Sequence, residues 1–578
     1  MDKNTIWAII LSTLVLVGFM FVQTTFYPSV AVEQLPTENT QSIVETEPTL
    51  VNVASTSIIS DENSDSPLEE KQYTITTSKA KVTFTNKGGD IISYELIDHK
   101  DGDEGVQLAD NITASNRAFS LAFGNNNNII NDYFNVKMID DYTIGFFKKF
   151  SINNSSGTAN EFTLVKQYTF NPDEYVFKLD ILIEGYDGLN GLDFGGAAYT
   201  LRTSPQIGPH FDKKVDRYEN RTFMSYSDGK QKKQTLSDGQ SKVFDKGFTW
   251  TGVAGKYFTI LVSPVNTSVI TQALYSTALD LPSYANAQVM LTRSPIVQSS
   301  VQDTYYIYAG PRTEKTLEIY NNATENYWKL SNLRLDEGLS NTGFWSWLEA
   351  TLKFIMEIFY KMIPNWGVSI ILMTILLKVI LFPLTKKSSM STLKMQEVQP
   401  LMQELQTKYK NNPEKLNVEM AKLYKETGYN PLSGCLPLLI QFPLIFAMFN
   451  LFNNYFEFRG AMFIPGWIPD LSVGDSIYTL KSSIPFIGNQ IRILPIIYVI
   501  SQLLFGKFTN TSGGTGSQAT QMKIMMYGMP LMFFFMFYSA PSGLLLYWTV
   551  SNLLQLVQQI IINKAMHANK MEIKSTKK

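Results

Sequence analysis

Trp366-Gly-Val-Ser-Ile-Ile-Leu-Met-Thr-Ile-Leu-Leu-Lys378-Val-Ile-Leu-Phe382 is apolar enough to lie in a bilayer, yet one full charge sits inside its apolar run. A charge at hydrocarbon depth must be paired, hydrated or able to reach the headgroups. From Lys378 to Leu384 is six residues, about 9 Å of helix, which a lysine stem can partly bridge by snorkelling. Embedded polar groups in the later apolar segments favour the other reading, a wet cavity between helices in which Lys378 is held. What lies C-terminal to this stretch supplies further membrane helices, and most of what lies N-terminal to it reads as a domain outside the membrane.

A chain of 578 residues is longer than one undivided hydrophobic core usually supports. The net charge of -2 and the 17% of charged residues average over two unlike parts. Residues 1–340 are polar and rich in Thr, Asn, Asp and Gly, whereas 341–562 are dominated by Leu, Ile, Met, Phe and Pro. No basic run interleaved with aromatics occurs in the first part, so no nucleic-acid partner is expected. The single cysteine, Cys435, has no companion for a disulfide or a metal site.

Beyond the opening stretch, transmembrane helix 2 is expected over 364–384, followed by a cytoplasmic helical hairpin over 385–430. Eight lysines and five glutamates keep that hairpin out of the bilayer and place it on the inner side. Asn412-Pro413 should cap and start its second helix, and Gly428 should end it. Further transmembrane helices are expected over 431–455, 490–507, 522–539 and 543–562. A periplasmic loop (456–489), a cytoplasmic loop (508–521) and a basic cytoplasmic tail (563–578) complete this part.

Upstream, the apolar run Ile6–Val22 after Lys3 suggests an uncleaved anchor over 1–28, because the bulky Gln23-Thr-Thr-Phe-Tyr-Pro28 offers no small-residue cleavage site. Residues 29–70 bury too little apolar surface to order themselves and read as a flexible tether. From 71 to 340, strand-like alternation recurs in Lys81–Thr85, Glu161–Phe170, Tyr175–Ile183, Tyr257–Val262 and Thr304–Ala309, with turn residues between. That pattern predicts a large antiparallel sandwich and a connector. His99 and His210 stand apart in sequence and read as surface or loop histidines. Over 341–363 an amphipathic helix is expected to lie in the interface, with Trp345, Leu348, Leu352, Ile355, Phe359 and Met362 on one side and Glu349, Lys353, Glu357 and Lys361 on the other.

The count is six spans with both termini cytoplasmic. Lys378 is the charge lying deep in the C-terminal spans, and Thr374, Gln441, Asn450, Gln502, Tyr547, Trp548 and Asn552 are candidate groove residues with it. Thr549, Ser551, Gln555 and Gln558 add to the polar inventory. No embedded carboxylate offers a counter-ion or a proton relay. A lone cation among neutral polar groups needs water around it, and such a groove suits a passing peptide with acidic or polar flanks. No nucleotide loop, HExxH, GxSxG or metal-spaced cluster is present, so no cofactor, metal or catalytic residue is expected.

Pro364–Leu372, Phe382–Thr385, Asn430–Gln441 and Pro541–Asn552 together resemble the signature stretches of the YidC membrane protein insertases in their long, Gram-negative form. The resemblance implies a multidomain α-helical inner-membrane protein. It would have a five-helix insertase core, an N-terminal anchor helix and a periplasmic β-supersandwich. It also implies insertion and folding of nascent membrane proteins through a hydrated groove, alone or beside the Sec translocon. The ribosome, and in some settings the signal-recognition-particle receptor, would act on the cytoplasmic side. The family's groove residue is arginine, whereas Lys378 stands here. Lysine keeps the charge and loses the fixed fork of donors. Tyr547-Trp548 stands where the family has two tyrosines. The rival readings are a solute transporter, which would need a site closed alternately from each side, and a glycan-binding or enzymatic sandwich merely anchored by helices.

Overall fold

A computed structural model of the chain describes residues 58–60, 69–125, 128–153, 159–185, 192–211, 219–244, 247–277, 287–339, 346–428, 436–484, 487–509 and 527–576. The expected anchor (1–28), most of the tether, Cys435 and most of the 508–521 loop lie outside the described residues. Two compact units result, Val32–Ser340 and the part from Asn341 on.

The first unit contains the large antiparallel sheet that the alternation predicts. Ten strands form its main sheet, and its centre runs through Ala159–Phe170, Val176–Glu184, Ser300–Pro311 and Phe258–Pro264. Register is long and unbroken where both faces are covered: Val176 pairs with Tyr308 and the ladder continues to Glu184 with Ser300. A five-stranded and a four-stranded sheet accompany it. The core is aromatic, with Phe84 5.0 Å from Tyr168 and Phe170 stacked 5.0 Å from Phe177 between ring centroids.

One inward position of the strand Ala159–Phe170 breaks the apolar pattern. Phe162, Leu164, Tyr168 and Phe170 are buried, and so is Lys166. Its ammonium pairs with Asp90, which also receives Arg117 Nε at 2.9 Å, and donates to the carbonyls of Gly88 (3.1 Å) and Phe119 (2.9 Å). Burial pulls the Lys166 amine below the ordinary lysine value, and the Asp90 carboxylate opposes that shift. His210, isolated in sequence, has Asp101 Oδ2 2.8 Å from Nδ1 and Asp110 Oδ2 3.0 Å from Nε2. It joins chain segments about a hundred residues apart.

The second unit is helical: α1 (Ser346–Met362), α2 (Trp366–Lys408), α3 (Pro413–Thr427), α4 (Leu436–Asn454), α5 (Leu494–Thr509), α6 (Met529–Phe537) and α7 (Ser542–Thr576). Two segments, Trp366–Lys387 in α2 and Ser542–Ile562 in α7, are long and apolar enough among the described residues to cross a membrane, and Leu494–Lys507 is a shorter apolar helix. α2 passes without a turn through residue 384, where the sequence suggests a span giving way to a hairpin arm. α7 likewise runs on into the basic tail. Asn412 caps α3 by accepting from Lys415 N at 3.1 Å, and Gly428 closes it at φ 62°.

α1 packs against α2 and α4. Leu352 and Met356 are buried in a cluster with Trp366, Ile370, Met448 and Phe452, and Leu348, Ile355 and Phe359 pack on its rim. The apolar stripe read from the sequence therefore faces the bundle in its greater part, while Trp347, Phe354, Ile358 and Met362 form a second, exposed apolar face. Glu349 and Glu357 are half-buried and point at α4: Asn450 Nδ2 donates to Glu349 Oε2 at 2.8 Å, and Tyr455 Oη to Glu357 Oε1 at 3.0 Å. Between α4 and α5, Asp475 Oδ2 accepts from Trp467 Nε1 (2.9 Å), Ile493 N (2.8 Å) and Leu494 N (2.9 Å), satisfying the first amides of α5.

Candidate functional site

On α2, Thr374, Lys378 and Thr385 lie at intervals of four and seven, which keep them on one face of the helix. On α7, Tyr547, Ser551, Gln555 and Gln558 again share one face. α2 and α7 pack together, and the two rows meet. Lys378 Nζ donates to Gln555 Oε1 at 3.3 Å, and Gln558 Nε2 donates to Thr385 Oγ1 at 2.7 Å. Thr374, Lys378, Thr385, Tyr547, Ser551 and Gln555 line a pocket of about 50 Å³, with leucines, including Leu444 of α4, making up the rest of the wall.

Lys378 is thus partly buried with its amine turned toward α7. Its neighbours Val379 and Ile380 point away and are exposed. No carboxylate lines the pocket among the described residues. Thr374 turns its hydroxyl back to the Ile370 carbonyl at 2.6 Å, so its own helix satisfies it. Tyr547 is buried beside Phe452, with ring centroids 6.1 Å apart. The arrangement offers one cation, an amide and hydroxyls in a largely apolar wall. It can attract a carboxylate or carbonyl, and it holds no nucleophile–base pair.

The remaining candidates lie elsewhere. Asn552 Nδ2 reaches Ser501 Oγ at 3.4 Å, and Gln502 Nε2 reaches Tyr498 Oη at 3.1 Å, a second polar seam where α7 meets α5. Trp548 packs there, 5.8 Å from the Tyr498 ring and 4.7 Å from Phe537. Asn450 belongs to the contact with Glu349 of α1. Gln441 lies on α4, and its side chain falls outside the described residues. Thr385 was not among the sequence candidates, although its seven-residue spacing from Lys378 marks it.

Comparison with known proteins gives the chain its family. Residues 358–570 match the family described as 60Kd inner membrane protein, and residues 72–362 match the YidC periplasmic domain. The membrane protein insertase YidC of Treponema denticola is 48% identical over 98% of this chain and 100% of its own length. The chain belongs to the YidC family. The Treponema pallidum YidC is 42% identical over 99% of this chain and all of its own. A solved YidC insertase with its first transmembrane domain resolved aligns with 88% of this chain and 94% of its own, at 18% identity and a TM-score of 0.38. The YidC periplasmic match takes in the sheet unit together with α1, and the 60Kd inner membrane match takes in α2 to α6 and most of α7.

Proposed function

We propose that this YidC-family chain inserts nascent proteins into the inner membrane and helps them fold, with the facing polar rows of α2 and α7 as the path for a client's polar flank. The observation that carries this reading is the Lys378–Gln555 contact. It directs the amine between α2 and α7, in a wall that also offers Thr374, Thr385 and Ser551. Gln502, Asn552 and Trp548 extend polar and aromatic contact toward α5, and Asn450 serves the contact of α4 with α1 instead.

In this mechanism water around Lys378 keeps the ammonium charged and lowers the desolvation cost of a passing acidic or polar flank. The client's apolar segment leaves laterally into lipid, and burial of about 20 apolar residues there drives the transfer without a nucleotide. Lysine in place of the family's arginine favours attraction over a fixed bidentate lock. The core would comprise five helices behind an N-terminal anchor, with both termini cytoplasmic and the sheet unit periplasmic. The Sec translocon, the ribosome and the signal-recognition-particle receptor are the partners this arrangement would serve. No cofactor takes part.

The test is insertion of a short single-span client into liposomes by the wild type and by Lys378→Arg, Lys378→Ala and Lys378→Glu. Arginine should work and glutamate should fail. Alanine should be impaired most for clients with acidic flanks. Equal insertion by all four overturns the charge mechanism, and solute uptake without insertion favours a transporter.

A further inference from the structure

In the sheet unit, far in sequence from the helices, the strand Ser300–Pro311 and the segments around Pro264 and Pro295 enclose a cavity of about 440 Å³. That is within the size range of a ligand site. Its floor is an ion pair that the fold holds in place. Arg293 Nε donates to Asp303 Oδ2 at 3.0 Å, and the same oxygen accepts from Tyr199 Oη at 2.7 Å. Tyr199 Oη in turn lies 2.9 Å from Tyr305 Oη. Arg293 Nη1 is tied to the carbonyls of Ser294 (2.8 Å) and Pro295 (2.9 Å). Arg293 and Asp303 are 6% and 8% exposed, so both are more than nine-tenths buried, and both line the cavity.

Each keeps one group in reserve. Asp303 Oδ1 and Arg293 Nη2 make no hydrogen bond among the described residues, and neither is an atom sealed from solvent. A buried ion pair is a poor source of stability compared with apolar packing of the same volume, so an ordered pair with one donor and one acceptor turned to a cavity needs another reason. A carboxamide is the complement: its carbonyl accepts from the guanidinium, and its N–H donates to the carboxylate. The rim supports a peptide over a sugar. Val297 and Val265, 79% and 63% exposed, offer apolar contact on either side, whereas Tyr305, the aromatic residue of the lining, is 1% exposed and presents no stacking face.

We propose that this cavity binds an extended peptide segment, taking an asparagine or glutamine side chain onto Arg293 and Asp303 while apolar neighbours rest on Val265 and Val297. Nothing in the membrane mechanism requires this site, and its test is independent of insertion.

The full chain in nanodiscs is titrated with fluorescent Ala-Val-Asn-Val-Ala, with Ala-Val-Ala-Val-Ala and with maltotriose. The asparagine peptide should bind saturably and at least tenfold more tightly than the alanine peptide. Asp303→Asn should weaken it at least tenfold. Because Asp303→Asn removes a buried charge and can unfold the unit, Ser300→Trp, which fills the cavity from an exposed position and leaves the ion pair intact, is the second variant, checked by circular dichroism. It too should abolish binding. Equal or absent binding of the two peptides, retained binding in Ser300→Trp, or tighter binding of maltotriose overturns the proposal.

Discussion

At the residue scale, close approach decides what is tolerated. Gly367, one residue into α2, lies against Phe463, and a Cβ there would fall on the ring and come within 2.8 Å of the Phe463 Cβ. Turning the ring does not clear that clash. Gly367→Ala should therefore lower stability by about 1–3 kcal/mol, the usual cost of overpacking, read as a fall in melting temperature of the detergent-solubilised chain. Gly247→Ala is the control, since a Cβ at 247 meets nothing within 4 Å. An equal change in both variants would remove the steric account. Lys166 shows the limit of reading single residues. Its inward position follows from the alternation of its strand, but Asp90, the partner that makes the position habitable, lies 76 residues away in sequence. Nothing in the strand's own sequence points to that partner.

At the element scale, two of the expected spans, 364–384 and 543–562, coincide with helices long and apolar enough among the described residues to cross a membrane, and the ends of those helices were not legible. Leu, Lys, Glu and Gln are all good helix formers, so passing from lipid-like to charged sequence at Lys386 gives α2 no reason to stop, and α7 continues into the tail on the same ground. Asn412 and Gly428 mark real ends because each supplies a bond or a backbone conformation that the helix terminus needs. The polar residues were legible as an inventory. Their grouping depends on which helices meet, so Lys378 and Tyr547 share a pocket while Asn450 pairs with Glu349. That last contact ties α1 to α4. A double-mutant cycle of Glu349→Ala and Asn450→Ala should give a coupling of about 1 kcal/mol in thermal unfolding, the scale of a charge-assisted hydrogen bond exchanged against water. Additive effects would mean that the bond does not hold α1 in place.

At the scale of the whole molecule, the shift from polar to apolar composition near residue 340 corresponds to the division into two compact units, each with its own core. The antiparallel sheet was legible from period-two alternation. Its strand order was not, because the pairing of Val176–Glu184 with Ser300–Pro311 spans more than a hundred residues and leaves no local mark. Because the pocket residues and hydrogen bonds of the polar rows come from α2, α4 and α7 among the described residues, deletion of residues 72–310 should leave much of the insertion activity. It should also leave the order of the Lys378 variants unchanged in the liposome assay. A reversal of that order would show that the sheet unit shapes the groove.

The unbroken course of α2 has a mechanical consequence. Its 43 residues make a rod of about 65 Å, roughly twice the hydrocarbon thickness. Lys378 and the arm that pairs with α3 are therefore carried on one lever. α2 stays helical through Pro383 and Pro400, each of which lacks an amide hydrogen and omits one rung of the backbone ladder, the first of them five residues beyond Lys378. Torque applied at the charged end would swing the wall that holds the ammonium, so whatever docks on the arm gains a handle on the pocket.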